Sequence, residues 1–450
     1  MQSTLCVIIG NVTKKPGFTP SNATPAIQKI DVGEIIGIVA SVFVAIAMAM
    51  CLFRLWKNKC RRNSMMCIKQ KDYDYAEDEI MNDGYDNVKM SGIAQKTMKG
   101  RANSTIDFKS QINLVSCDSK REIPRSCFEI TKQIGSGNLG TVSKGELHDL
   151  YHKGSKTVVA IKATKGPTEG VKIRDLLHEI KIMSHIKPNL NVVSMIGSCS
   201  TDLDNRRELW LITEFCHHGE LKGYLIENQK QLLSGAEDDL INSRCLLNWS
   251  HDIAKGMDFL SSNNIMHGDL GAGNVMLDGS PIQAGLPVAK VAGFGLSKKL
   301  ETGQNYEKEE RVYVPWKWMA IEYLTSDYLT MTSDVWSFGV FLWEMFSCGQ
   351  TPYGNQDFND VMTLLEEGPL CPLPCPLKNE AVAGWDPEEL YHELSNMCFV
   401  RDPNERATFS KVSETIEKRL TEKEMLYYAN MEEKYQSEYC NAYLKFAKSS

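Results

Sequence analysis

The chain runs to 450 residues, 42% hydrophobic and 24% charged, which is the balance of folded protein with core enough for two or three domains. A formal charge of −7 excludes nucleic acid as a partner, since a phosphate backbone needs a dominant basic face. Fourteen cysteines are scattered, with Cys371 and Cys375 the one close pair, too few ligands for zinc. They read as reduced structural thiols of a cytoplasmic domain.

Ile35 to Phe53 is a run of nineteen residues without a charge, and at 1.5 Å per residue such a helix crosses a hydrocarbon layer about 30 Å thick. Arg54, Lys57, Lys59, Arg61 and Arg62 follow at once, whereas only Lys29 lies close on the other side. The positive-inside rule therefore predicts a single-pass plasma-membrane protein with residues 1–34 outside and the rest cytoplasmic. Residues 1–34 show no basic n-region or cleavage pattern, so the helix itself is expected to act as the membrane signal. Asn11 and Asn22 open NVT and NAT sequons, which suit an exported segment, and that segment is too short to bury a core. Gly33, Gly37, Ser41, Ala45 and Ala49 line one helix face at every fourth position. The stripe either supports a homo- or heterodimer through the helix or reflects the ordinary abundance of small residues in membrane helices.

Residues 54–127 show no sustained period and read as a juxtamembrane linker. Within it Tyr73, Tyr75 and Tyr85 stand among acids, as kinase substrates or as plain solvated tyrosines. YDNV at Tyr85 resembles the YxN signal of phosphotyrosine-reading adaptors.

FEITKQIGSGNLGTVSKG places Gly135, Gly137 and Gly140, then Val142, among alternating apolar residues that predict a strand hairpin. A GxGxxG in a hairpin, with no helix behind it, suits a flap over nucleotide phosphates better than a dinucleotide turn. VVAIK predicts the next strand, carrying Ala160 and ending in Lys162, whose ammonium would reach the α and β phosphates. DLLHEIKIMSHI has helical spacing and sets Glu179 to pair with Lys162. ELWLITEFCHHGEL reads as a strand running into a connector, with Thr213 at the back of an adenine pocket and Glu214 and Cys216 offering backbone hydrogen bonds. After a polar insertion from Asn228 to Arg244, the helix WSHDIAKGMDFL leads into HGDLGAGNVML, whose HxDxxxxN spacing is specific, and Met276 in that run completes the nucleotide-binding set.

From here the chain resembles the receptor tyrosine kinases over roughly residues 121–420. Gly271 stands where serine/threonine kinases place a lysine, and PWKWMA from Pro315 to Ala320 matches the tyrosine branch. The resemblance implies an α+β bilobal protein kinase fold, with a small β-rich N-lobe over 128–216 and a large helical C-lobe over 217–420. It implies ATP as cofactor, Asp269 as acceptor of the substrate hydroxyl proton and Asn274 as a metal ligand. Met183, His267 and Phe294 are expected to stack, and Glu322 and Arg406 to form an ion pair.

The chain also departs from that family. AKVAGFGLSKK has Gly293 where the aspartate of DFG holds magnesium. Losing that ligand costs roughly a thousandfold or more in rate. Gly268 and Gly273 replace two catalytic-loop arginines, so phosphate on Tyr306 would lack its usual partner, while Tyr313 remains nearby. Ile321 replaces the proline of APE, a milder change. The reading is an ATP-binding, catalytically impaired pseudokinase acting as allosteric partner or docking platform; the alternative is a working tyrosine kinase with an altered metal site. The tail, 421–450, holds five tyrosines. YANM at Tyr428 and YCNA at Tyr439 repeat the YxN spacing, while the tyrosine spacing equally fits an amphipathic helix packed on the large lobe.

Overall fold

The computed structural model describes residues 121–137, 140–164, 170–200, 208–233, 243–279, 286–300, 306–307, 314–326, 328–369, 371–377, 385–435 and 437, all within one compact unit. The span read at 35–53, together with Tyr85, Tyr313 and Tyr439, lies outside them. Among the described residues no helix is long and apolar enough to cross a membrane.

The N-terminal lobe is built on strands β1 (Phe128–Gly137), β2 (Gly140–His148) and β3 (Lys156–Ala163), helix α1 (Gly170–Ser184), and strands β4 (Met195–Cys199) and β5 (Trp210–Glu214). The strands form one antiparallel sheet in the order β1-β2-β3-β5-β4. In β3 the two-residue period divides the side chains: Val159 and Ile161 are buried, while Ala160 and Lys162 on the other face are only half-covered. The buried face packs with Phe128, Leu147, Ile196, Trp210 and Ile212. Ile123 joins that core ahead of β1, and its N–H donates to the Ser198 carbonyl at 2.8 Å.

The large lobe follows with β6 (Gly219–Glu220), α2 (Leu221–Glu227), α3 (Gln229–Leu233), α4 (Arg244–Ser262), β7 (Ile265–Met266), β8 (Val275–Asp278), β9 (Val288–Val291), β10 (Lys298–Lys299) and β11 (Tyr306–Glu307). It continues through α5 (Ile321–Ser326), β12 (Tyr328–Leu329), α6 (Ser333–Phe346), α7 (Phe358–Glu367), α8 (Pro387–Cys398), α9 (Phe409–Glu417) and α10 (Glu422–Lys434). Helix α4 begins well before the WSHD run that marked it in the sequence. Cys245, Leu246, Leu247 and Trp249 are all buried, and that burial carries the helix back through residues the sequence reading assigned to no element, to Arg244 at the end of the insertion. Part of the insertion is itself helical, because α3 buries Leu232. Helix α6 is buried along nearly its whole length, as its all-round apolar sequence requires. The bilobal architecture read from the sequence is the observed one.

Candidate functional site

The cleft between the lobes is furnished from both. Lys162 on β3 pairs opposite Val142 on β2 and Leu211 on β5, and its Nζ lies 2.7 Å from Glu179 Oε2 on α1. The ion pair between strand and helix expected from the sequence is therefore formed. Gly135 pairs with Val142 and Gly137 with Gly140, which closes the glycine hairpin. Gly140 has φ +150°, and a Cβ there would run into the Ala163 carbonyl, so this turn requires glycine. Ala160 pairs with Thr213, and both are half-exposed in the cleft, whereas Glu214 and Cys216 are buried. The Glu214 N–H is taken by the Ser194 carbonyl at 3.1 Å, which leaves its carbonyl, bonded by the Thr213 hydroxyl at 3.2 Å, as the polar edge of the connector. Met276 sits half-exposed on β8 beside the loop that holds Asp269 and Asn274.

That loop is pinned by two buried carboxylates whose importance the sequence motifs did not disclose. Asp334, at the start of α6, accepts from the N–H of His267 at 2.6 Å and of Gly268 at 2.8 Å. Burial pushes its carboxyl up to about 6, against the pull of those two bonds. Glu344, near the end of α6, accepts from the Ala272 N–H at 2.9 Å and from Trp318 Nε1 at 2.7 Å, and burial lifts it to about 7. His267 donates from Nε2 to the Ala292 carbonyl at 2.8 Å and accepts the Asp269 N–H at Nδ1, 3.2 Å away. Those two roles fix a neutral imidazole, and burial holds its pKa down at about 4. Its ring meets Phe294 edge to face at 5.3 Å, which forms that half of the expected stack, and Met183 on α1 is buried in the same large core as Phe294. His178 on α1 adds a hydrogen bond to the Ser297 carbonyl at 2.8 Å, tying helix and loop together.

Glu344 yields a prediction. An acid whose folded pKa is raised contributes stability that is fully present below its unfolded pKa and is lost as pH rises through the folded value, here about 7. Glu344→Gln keeps a carbonyl oxygen for both donors and removes the buried charge. Thermal unfolding is expected to show it more stable than the parent by about 3 kcal/mol at pH 8 and unchanged at about pH 4.

Gly293 adopts φ +79° and ψ +57°, the left-handed region, at the head of the short turn through Phe294 and Leu296. The Asn274 side chain leans into the space beside it. A Cβ on residue 293 would meet Asn274 Oδ1 and Cγ, the latter at 2.6 Å. Asn274 meanwhile donates from Nδ2 to the Asp269 carbonyl at 2.7 Å. Asp269 is half-buried at the mouth of this loop. Gly268 has φ +74° and a backbone N–H committed to Asp334. What Asn274 offers at the phosphate end is thus a neutral amide oxygen, with no carboxylate at residue 293 beside it. Among the described residues no cluster of three or more metal-ligating His, Cys, Asp or Glu occurs elsewhere.

Beyond the cleft, the backbone of Tyr306 pairs with that of Leu329 across β11 and β12. Arg406 and Glu322 form the expected ion pair, with two parallel bonds of 2.8 and 2.9 Å. Tyr428 lies on α10, its hydroxyl 3.1 Å from Asn248 Oδ1 and its ring 4.6 Å from that of His251. A helix packed on the large lobe is therefore what the described part of the tail forms. The sequence reading missed a buried pair behind the connector, Lys290 with Glu214 at 3.2 Å. A lysine inside the apolar run VAKV was the available signal, because a buried ammonium demands a partner.

A family model for protein tyrosine and serine/threonine kinases matches residues 128–416. The chain belongs to that family, among the receptor tyrosine kinases. Its similarity extends to the tyrosine kinase receptor Cad96Ca of Drosophila melanogaster, 30% identical over 336 residues that cover 73% of this chain and 39% of that protein. The fibroblast growth factor receptor of Ciona intestinalis is 29% identical over 333 residues, 72% of this chain and 42% of the receptor. The mast/stem cell growth factor receptor kita of Danio rerio is 27% identical over 374 residues, 70% of this chain and 36% of the receptor. The chain thus spans about two fifths of the length of these curated relatives.

Proposed function

We propose that this chain is a single-pass plasma-membrane signalling protein whose cytoplasmic kinase domain binds ATP but transfers its phosphoryl group poorly. It acts chiefly as an allosteric partner or as a docking platform phosphorylated by another kinase. The observation that carries the reading is Gly293, with the Asn274 side chain turned into the place a carboxylate would need. Phosphoryl transfer depends on cations that neutralise charge between the phosphates, and a lone amide oxygen grips them weakly. Nucleotide binding is supported by the parts that persist: the glycine hairpin, Lys162 held by Glu179, and the half-exposed Val142, Ala160, Thr213 and Met276. Membrane insertion, with the N terminus outside and dimerisation through the 35–53 helix, is supported by the charge asymmetry of the sequence and by the receptor names of the relatives. Tyr85, Tyr306, Tyr313, Tyr428 and Tyr439 are the proposed phosphorylation sites, with phosphotyrosine-reading adaptors as partners.

A second reading, a working tyrosine kinase, draws on the formed Lys162–Glu179 pair and the stacked His267 and Phe294. Labelled-phosphate transfer to tyrosine peptides, with Mg²⁺ or Mn²⁺, separates the two when the full chain is compared with Asp269→Asn. Slow transfer that the substitution leaves unchanged is the expected result; brisk transfer abolished by it would replace the first reading with the second. For binding, Lys162→Met is expected to weaken a fluorescent ATP analogue at least tenfold, because it removes the ammonium and leaves the buried Glu179 carboxylate facing phosphate. Undiminished affinity would place the nucleotide elsewhere.

A further inference from the structure

The tail does more than cover the large lobe. Along residues 421–435, Glu424, Tyr428, Met431 and Tyr435 are the positions that are partly buried while their neighbours are exposed. Their spacing of four, three and four keeps them within about 60° of one another around a helix of 100° per residue, so one narrow stripe makes the contact. The stripe is anchored at three points. At its start Arg244 grips Glu424 with two bonds, 2.8 and 2.6 Å, while Thr421 and Glu424 form a reciprocal cap. Burial alone would raise the Glu424 carboxyl, but the bonds from Arg244 and Thr421 hold it down at about 2. In the middle, Tyr428 meets Asn248 and His251. At the end, Tyr435 bridges the lobes: its hydroxyl lies 2.8 Å from Ser194 Oγ ahead of β4, and its ring covers Lys290 Nζ on β9 at 4.8 Å. Ser194 also donates its N–H to the Glu214 carboxylate at 2.7 Å, and Glu214 pairs with Lys290. Tyr435 therefore closes a polar cluster that joins the segment before β4, the end of β5 and β9.

We propose that residues 421–435 are a strap across the back of the connector, and that Tyr435 is a modification site whose phosphorylation releases it. In that reaction a tyrosine kinase transfers the γ-phosphoryl group of ATP to Tyr435 Oη, the hydroxyl proton is lost, and ADP leaves. The product carries about two negative charges where a neutral hydroxyl met Ser194. The charged groups facing it are Lys290, already committed to Glu214, and the buried Glu214 itself, with Asp278 acting on Glu214 from β8. A phosphate that keeps the docked position either repels Glu214 or takes Lys290 from it and strands a buried carboxylate. Both outcomes are worse than an undocked tail, where water solvates the phosphate.

The test uses the full chain in detergent micelles, prepared unmodified, with phosphotyrosine incorporated at residue 435, and as Tyr435→Phe, and reads amide hydrogen exchange. Phosphotyrosine is expected to speed exchange at least tenfold across 422–434 and at the Ser194 amide, with α6 unchanged as the sign that the lobe stays folded. Tyr435→Phe keeps the ring over Lys290 and is expected to change these amides less than threefold. Protection of 422–434 equal to that of the unmodified chain would overturn the proposal. Opening by Tyr435→Phe as large as that by phosphate would also overturn it, since loss of one hydrogen bond would then suffice without the charge.

Discussion

Gly293→Asp is expected to destabilise the metal-free chain by about 2 kcal/mol and to raise metal-dependent phosphoryl transfer at least about a hundredfold. The backbone contributes about 1 kcal/mol of the cost, since a side chain in this conformation is strained. At φ +79° and ψ +57° residue 293 occupies the left-handed region, where aspartate and asparagine are tolerated better than other residues with a Cβ. The other obstacle is Asn274, whose Cγ would stand 2.6 Å from the new Cβ. It has to turn away, and doing so forfeits its 2.7 Å bond to the Asp269 carbonyl, a loss of about 1 kcal/mol. In return the site gains the anionic oxygen that a hard cation requires. Thermal unfolding with and without Mn²⁺ and ATP reads the first effect, and peptide labelling reads the second. If the variant folds, binds Mn²⁺-ATP and still transfers at the parent rate, the missing carboxylate is not what limits turnover. Attention then moves to the loop carrying Gly268, Gly271 and Gly273.

The second large effect concerns stability. Glu322→Ala is expected to cost about 3 to 5 kcal/mol and to lower Tm by about 10 °C, measured by thermal or urea unfolding. The Arg406 side chain is wholly inaccessible to solvent, and Glu322 is only 11% exposed. Once the carboxylate is removed, the Arg406 guanidinium keeps the carbonyls of Val400 and Thr332 and the face of the Trp336 ring, and remains a buried charge without a counter-ion. Lys411→Ala serves as the control. Its pair with Glu414 is 58% and 57% exposed, so a change within about 0.5 kcal/mol is expected. A comparable loss in both variants would mean that burial is not what gives the Arg406–Glu322 pair its weight.

The candidate site was legible because phosphoryl chemistry demands particular side chains at particular separations along the chain. The glycine hairpin, Lys162, Glu179, Asp269 and Asn274 each sit in a short run whose strand or helix period places them; in the structure the hairpin closes, Lys162 pairs with Glu179, and Asn274 bonds the Asp269 carbonyl. The Arg406–Glu322 pair was legible for the same reason, since each partner sits in its own recognisable run. The start of α4 was not. The residues from Cys245 to Asn248 fall between the insertion and the helix as read, until the large lobe gives their side chains something to pack against. The tail was legible only as two alternatives, because a tyrosine at helical spacing reads alike whether it docks or waits in solvent.

By itself the sequence determined the fold class, the strands and loops on which the candidate nucleotide-site residues fall, and the absence of a carboxylate at position 293. All of these are properties of local pattern and residue type. Tertiary structure alone decided what fills the space beside Gly293, which carboxylates pin the loop around His267, and where Tyr435 rests. Ser194 and Tyr435 are 241 positions apart, and Lys290 and Glu214 are 76 apart. Contacts of that kind arise where distant segments share one buried volume, and a buried charge takes whichever partner the packing of the whole lobe brings within reach.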